Sequence, residues 1–143
     1  MGDHNTRNRA SRERISVVIA RLGNKDVAMA GGWSSAALLA HIAFWERLAA
    51  ARLEKWLRDG EPPATAAPEL TDLTNAAGMR QWHDTPPAVA AAQALDAASA
   101  TDRLVEGIDA ERFAVLKAFN RHFLYDRSMH RTEHLTEIER ALQ

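Results

Sequence analysis

The chain has no cysteine. That absence removes disulfides, zinc–thiolate sites and thiol nucleophiles together, so any bound metal must be held by nitrogen or oxygen. No apolar run approaches membrane-spanning length, and the opening MGDHNTRNR has no hydrophobic stretch of the kind a signal peptide needs. A cytoplasmic location is therefore expected, with no membrane partner. An excess of charge is also missing. The formal net charge of -1 offers no overall basic field for nucleic acid, and the local run of Arg7, Arg9, Arg12 and Arg14 reads as the solvated start of a helix. No segment alternates in the manner of a strand, and no internal repeat is found. What remains is 143 residues, 46% hydrophobic and 26% charged, which suits one globular domain over residues 1–143 with a sizeable core.

Residues 1–6 match the loose myristoylation pattern Met-Gly-x-x-x-Ser/Thr, and Gly2-Asp3-His4 is a copper or nickel chelate when the Gly2 amine is free. Both readings need Met1 removed, and a mobile tail is the preferred reading.

Helical spacing recurs through the rest of the chain. Ile15, Val18, Ile19 and Leu22 follow the i, i+3, i+4, i+7 rule and predict a first helix over about residues 6–22, stopped by Gly23. After a linker through Gly31 and Gly32, Ser34 or Ser35 caps a second helix. Its stripe is Leu38, Ile42, Trp45, Ala49, Leu53 and Trp56, and Gly60-Glu61-Pro62-Pro63 ends it. Residues 59–84, with two glycines and three prolines, are expected to form a long connection over one end of the molecule. Pro86 and Pro87 open a third helix with a small-residue face of Val89, Ala92, Leu95, Ala98 or Ser99, and Val105, interrupted by Asp102. Asp109 caps a last segment carrying Phe113, Leu116, Phe123, Leu124, Leu135, Ile138 and Leu142, with a bend or break near residues 117–121. The expected fold is all-α, a four-helix bundle with a long connection between its second and third helices.

The chemistry lies in histidine. His130 and His134 are four apart in HRTEH, which puts both imidazoles on one helix face, about 5–6 Å apart at Cβ and able to share an ion. His41, three after Leu38 and four before Trp45, points into the apolar stripe of the second helix. An imidazole buried there without a partner costs roughly 1–3 kcal/mol, which coordination would relieve. The bland alternative is a His41 bonded to a backbone carbonyl, with the C-terminal pair a surface coincidence. HRTEH also matches the inverted zinc-peptidase motif His-x-x-Glu-His. Such a peptidase needs a further ligand downstream, and only nine residues follow His134, with Glu137 and Glu139 too near on the same helix. Among other polar residues, Asp126 orients His130 or forms only an exposed i, i+4 pair with it, Glu133 is a base or a solvated side chain, and Trp45 and Trp56 are read as core. Trp82, His83 and Arg80 form a lid, or Trp82 anchors the loop, and His122 is structural or exposed.

Trp33 with Ser34-Ser35 ahead of the helix, His41 in LLAHIAFWE, Asn75 in the long connection and HRTEHLTEIE at the end together resemble the DinB-like superfamily. That superfamily includes metal-dependent thiol transferases and the N-terminal domain of the mycothiol-dependent maleylpyruvate isomerase, and the resemblance covers the whole chain. It implies a four-helix bundle, commonly a homodimer, with His41, His130 and His134 as the ligands of a divalent metal, zinc or nickel. It also implies activation of mycothiol, bacillithiol or water for S-transfer, isomerisation or detoxification of a small-molecule substrate. The alternative is a non-catalytic small-molecule-binding or self-protection protein that uses the same pocket.

Overall fold

The computed structural model describes residues 3–143, and it is all-helical, with no strand among them. Met1 and Gly2, on which the myristoylation and chelate motifs rest, lie outside the described residues. Six α-helices follow in order: α1 (Asp3–Leu22), α2 (Ser35–Asp59), α3 (Pro68–His83), α4 (Pro87–Glu106), α5 (Ala110–Ala118) and α6 (Ser128–Ala141). No helix among the described residues is long and apolar enough to cross a membrane. Four of them close a ring of packed pairs, α1 on α4, α4 on α2, α2 on α6 and α6 on α1, while α3 packs against α2.

Local chemistry explains the boundaries. The Ser34 hydroxyl accepts from the Ala37 amide at 3.2 Å, so Ser34 rather than Ser35 caps α2. Ser35 is used one step earlier, where its hydroxyl accepts from the Val27 amide at 2.8 Å and pins the incoming linker. At the other end Gly60 adopts φ 74°, a left-handed conformation in which its amide reaches the Trp56 carbonyl and closes α2. Asp109 caps α5 by accepting from the Arg112 amide at 2.8 Å, as the sequence suggests.

Four expectations need correction. The first helix begins at Asp3, so residues 3–6 are not a tail. His4 stacks on Phe113 with ring centroids 4.7 Å apart, and Asn8 donates to the Tyr125 carbonyl while accepting from the Arg127 amide, which ties α1 to the turn before α6. Second, the long connection contains α3. Its inner face is Thr71, Asn75, Met79 and Trp82, a half-polar stripe that hydrophobic periodicity does not reveal, while Leu70 and Leu73 point outward at 56% and 59% exposure. Gly78 is required there, because a Cβ would overlap the Trp82 ring.

Third, α4 buries Ala90, Ala94, Ala97, Ala98, Thr101, Asp102 and Val105, and leaves Val89 and Ala92 exposed. In an alanine-rich segment several faces are equally apolar, and the polar pairing of Asp102 decides which turns inward. Fourth, the break after α5 is longer than expected. Asn120 takes φ 56°, a short 3-10 turn covers His122–Leu124, and α6 starts only at Ser128.

The core divides into two apolar clusters. One gathers Ile15, Val18, Leu38, Ile42, Ala94, Leu135 and Ile138, and the other Leu53, Trp56, Val105, Leu116 and Leu124. Between them along α2, α4 and α6 lie Glu46, Asp102 and Arg131, all 0% exposed. Arg131 Nη2 donates to Glu46 Oε1 and, at 2.8 Å, to Asp102 Oδ1, while Arg127 Nε meets Glu46 Oε2 at 2.8 Å. Arg12 adds a third guanidinium, 3.1 Å from Asp102 Oδ2. Burial opposes the Arg131 charge, but the Glu46 and Asp102 carboxylates more than offset it and hold its pKa above the ordinary value.

Candidate metal centre

His41 lies on α2, while His130 and His134 lie one turn apart on α6. The ionic network sets their meeting. Glu46, five residues beyond His41, grips Arg127 and Arg131, which flank His130 on α6, so the register between the two helices is held one turn from the histidines. His41 Nε2 then sits 3.2 Å from His134 Nε2 and 3.2 Å from His130 Nε2, and the three ligand atoms all lie within 4.8 Å of one another.

These nitrogens fit a cation better than they fit one another. A hydrogen bond between two Nε2 atoms needs a proton on one and a lone pair on the other. His41 Nε2 faces two partners and carries only one site, so any proton on it would be divided between two acceptors. A single cation at the common point would instead take a lone pair from all three. Tetrahedral zinc with nitrogen ligands at about 2.0–2.1 Å has ligand–ligand edges of about 3.3–3.4 Å, close to the two 3.2 Å separations from His41. Three histidines occupy three corners and leave the fourth for a substrate or water.

Protonation is in the required state. Burial, then the charge of His134, pushes the His41 pKa down to about 3. Burial, then Arg127 and the neighbouring histidines and Arg131, pushes His130 down to about 2. Both rings are neutral at ordinary pH, which is the ligating form. The His134 ring is the one with an outer partner, Glu137 Oε1 at 3.1 Å from Nδ1, an arrangement that directs the Nε2 lone pair inward. The buried Nδ1 atoms of His41 and His130 have no partner among the described residues.

Aromatic rings build the wall. Trp82 and Trp33 meet the His41 ring edge-on, with centroids 5.0 Å and 5.3 Å away, and shield it from water on that side. On the other side the triad opens into a cavity of about 480 Å³ that Trp33, Trp45, Thr71, Asn75, Glu133 and Glu137 also line. Trp45 donates its indole N–H to Asn75 Oδ1 at 2.8 Å, which fastens α3 over the cavity.

No protein-family model, curated protein or solved structure matches this chain. The site is therefore read from its own residues.

The sequence-predicted ligands His41, His130 and His134 come together. The other expectations hold only in part. Asp126 does not orient His130; it binds Arg7 at 2.7 Å and caps Ser128. Trp45 is half-buried and lines the cavity, whereas Trp56 is core. Trp82 belongs to a helix and packs on His41, while Arg80 and His83 are exposed. His122 is exposed, as one of its two readings had it. Sequence reasoning missed Glu137 as the partner of His134, although their i, i+3 spacing on one helix was the available signal. It also missed the Glu46–Arg131–Asp102 network, for which a charge at a core position on each helix was the only sign.

Proposed function

We propose that His41, His130 and His134 hold one divalent metal, zinc or nickel, in a four-helix bundle of the DinB-like type. The protein would use it to activate a low-molecular-weight thiol such as mycothiol or bacillithiol, or water, for S-transfer, isomerisation or detoxification. One observation carries this reading: three imidazole nitrogens converge on a point at the floor of an open cavity, with no hydrogen-bond pattern that satisfies them all. A bound zinc or nickel ion supplies Lewis acidity there, lowering the pKa of a thiol or water towards neutrality.

The protein's own groups do the rest. Glu137 orients the His134 ring. Glu133, exposed at the cavity rim, is the carboxylate available to accept the proton that a thiol loses. Trp33 and Trp45 give the cavity apolar walls that limit competing water, and Trp82 closes the far side of the His41 ring. The homodimer comes from the resemblance, and the cytoplasmic location from the sequence's lack of a long apolar run.

The test has two stages. Elemental analysis of protein purified without added nickel should find one zinc or nickel per chain, lost in His41→Ala. Metal-loaded protein mixed with mycothiol or bacillithiol and a small electrophile should then turn over many times. Stoichiometric capture without turnover would point to the binding or self-protection protein instead, and a metal-free purified chain that takes up no zinc or nickel would remove the reading altogether.

A further inference from the structure

Next to the metal cavity lies a second one of about 320 Å³, and the two share Trp45 and Thr71 in their walls. Their charges are opposite. The histidine end carries Glu133 and Glu137, and the second cavity is lined by Arg52 and Arg127 with Phe123 and Thr65. The arginines are poorly compensated. Arg127 uses Nε for Glu46 and Nη1 for the Phe123 carbonyl, leaving Nη2 for the cavity it lines. No carboxylate acts on Arg52. Burial first, then the like charges of Arg127 and Arg121, push its pKa below the ordinary value. Arg121 in turn has a buried Nη1 with no partner among the described residues. Two guanidiniums in the cavity wall, only one of them paired with a carboxylate, and a third whose charge acts on Arg52 leave an excess of positive charge at the cavity, and an anion is what neutralises it.

We propose that this second cavity is a carboxylate subsite, in which Arg52 and Arg127, supported by the charge of Arg121, hold a carboxylate of a small molecule whose other end reaches the histidines. A planar guanidinium matches a carboxylate through two parallel N–H bonds, so arginine, not lysine, is the side chain suited to the task. Distances along the helices fit a small acid. Arg127 precedes His130 by three residues, an axial rise of about 4.5 Å, and Arg52 follows His41 by eleven, about 16 Å, with its long side chain able to fold back towards Trp45. The role of the subsite in catalysis rests on the function proposed above, but its affinity for an anion does not.

The full-length protein, stripped of metal, is titrated with succinate at constant ionic strength set with sodium chloride, and binding is followed by calorimetry. Phosphate is titrated in parallel. Succinate should bind the metal-free chain, and Arg52→Gln and Arg121→Gln should each weaken it by roughly tenfold or more, the loss expected for a charge-assisted contact, with circular dichroism unchanged. Zinc affinity should not move in either variant. Succinate binding that is absent, or equal in wild type and both variants, would overturn the subsite, and phosphate binding as tightly as succinate would overturn its assignment to carboxylates. Because the titration needs no metal, a chain that binds succinate but not zinc would remove only the metal centre.

Discussion

Helices α2 and α6 meet at two buried polar clusters one turn apart, and the clusters obey opposite rules. In the first, Glu46, Asp102, Arg127 and Arg131 answer one another, each carboxylate facing at least one guanidinium at hydrogen-bond distance. In the second, His41, His130 and His134 turn three nitrogens towards one point, and two of the rings leave Nδ1 without a partner as well. A polar cluster whose charges pair with one another spends most of its bonding on holding helices in register, and only groups such as Arg127 Nη2 and Arg131 Nε are left over. One that is left unsatisfied at the floor of a cavity carries a local cost that a ligand can relieve. The comparison separates support from site between adjacent residues, because Arg131 turns to Glu46 and Asp102 while His130 beside it turns to His41.

The largest effect should come from breaking the ion-paired cluster. Arg131→Met leaves two fully buried carboxylates facing each other with only Arg127 and Arg12 to answer them. The expected loss is about 3–5 kcal/mol of folding stability, the range for removing one partner of a buried ion pair. Urea denaturation measures it, and a loss under about 1 kcal/mol would mean that the cluster is far wetter than its burial indicates.

At the histidine cluster the sign reverses, since adding a ligand should stabilise. Zinc at a free concentration one hundred times its dissociation constant is expected to raise stability by about 2.7 kcal/mol. His41→Ala should remove that gain. Thermal or urea unfolding with and without zinc decides the matter, and an equal gain in His41→Ala would place the ion elsewhere on the chain.

Without metal, pH should probe the same cluster. The folded pKa values of His41 and His130, about 3 and about 2, lie below the ordinary 6.5, so the unfolded chain binds more protons. Their neutral burial therefore contributes stability that is fully present above about pH 6.5 and is lost as pH falls towards the folded values. Between pH 6.5 and 5.5 each should cost about 1 kcal/mol. Comparing urea midpoints of wild type and His41→Ala over that interval should show the variant losing about half as much, and a slope the same in both would exclude His41 as the source.

The same contrast explains which parts of the molecule are legible in the amino-acid sequence. His41, His130 and His134 are legible because a metal-ligand pattern is local in residue type and spacing: two histidines four apart, and one inside an apolar stripe. The helical class is legible for a similar reason, since Ile15, Val18 and Leu22, or Leu38, Ile42 and Leu53, repeat at a period the helix imposes. The supporting network is not, because nothing in the spacing of Glu46, Asp102 and Arg131 says that they meet; only the packing of three helices does. Helix α3 stays hidden for the complementary reason. Its inward stripe is half polar because Thr71 and Asn75 roof a cavity while Met79 and Trp82 pack on the core, and hydrophobic periodicity is blind to such a mixed face.

The smallest effect concerns the one histidine that has outside support. Glu137 accepts from His134 Nδ1 and so fixes which ring nitrogen keeps its lone pair for the cation, but it is 43% exposed, and an exposed pair contributes little to folding. Glu137→Gln retains an acceptor of nearly the same shape and removes the charge that strengthens the bond. Metal affinity should fall by about tenfold, the lower end for losing an outer partner of a metal-binding histidine, while the urea midpoint of the metal-free protein stays within about 0.5 kcal/mol of wild type. Competition against a zinc-sensitive dye gives the first number and denaturation the second. Affinity lost without stability is the mark of a residue that serves the site alone; an unchanged affinity would show that packing on α6, rather than the carboxylate, aims the His134 ring.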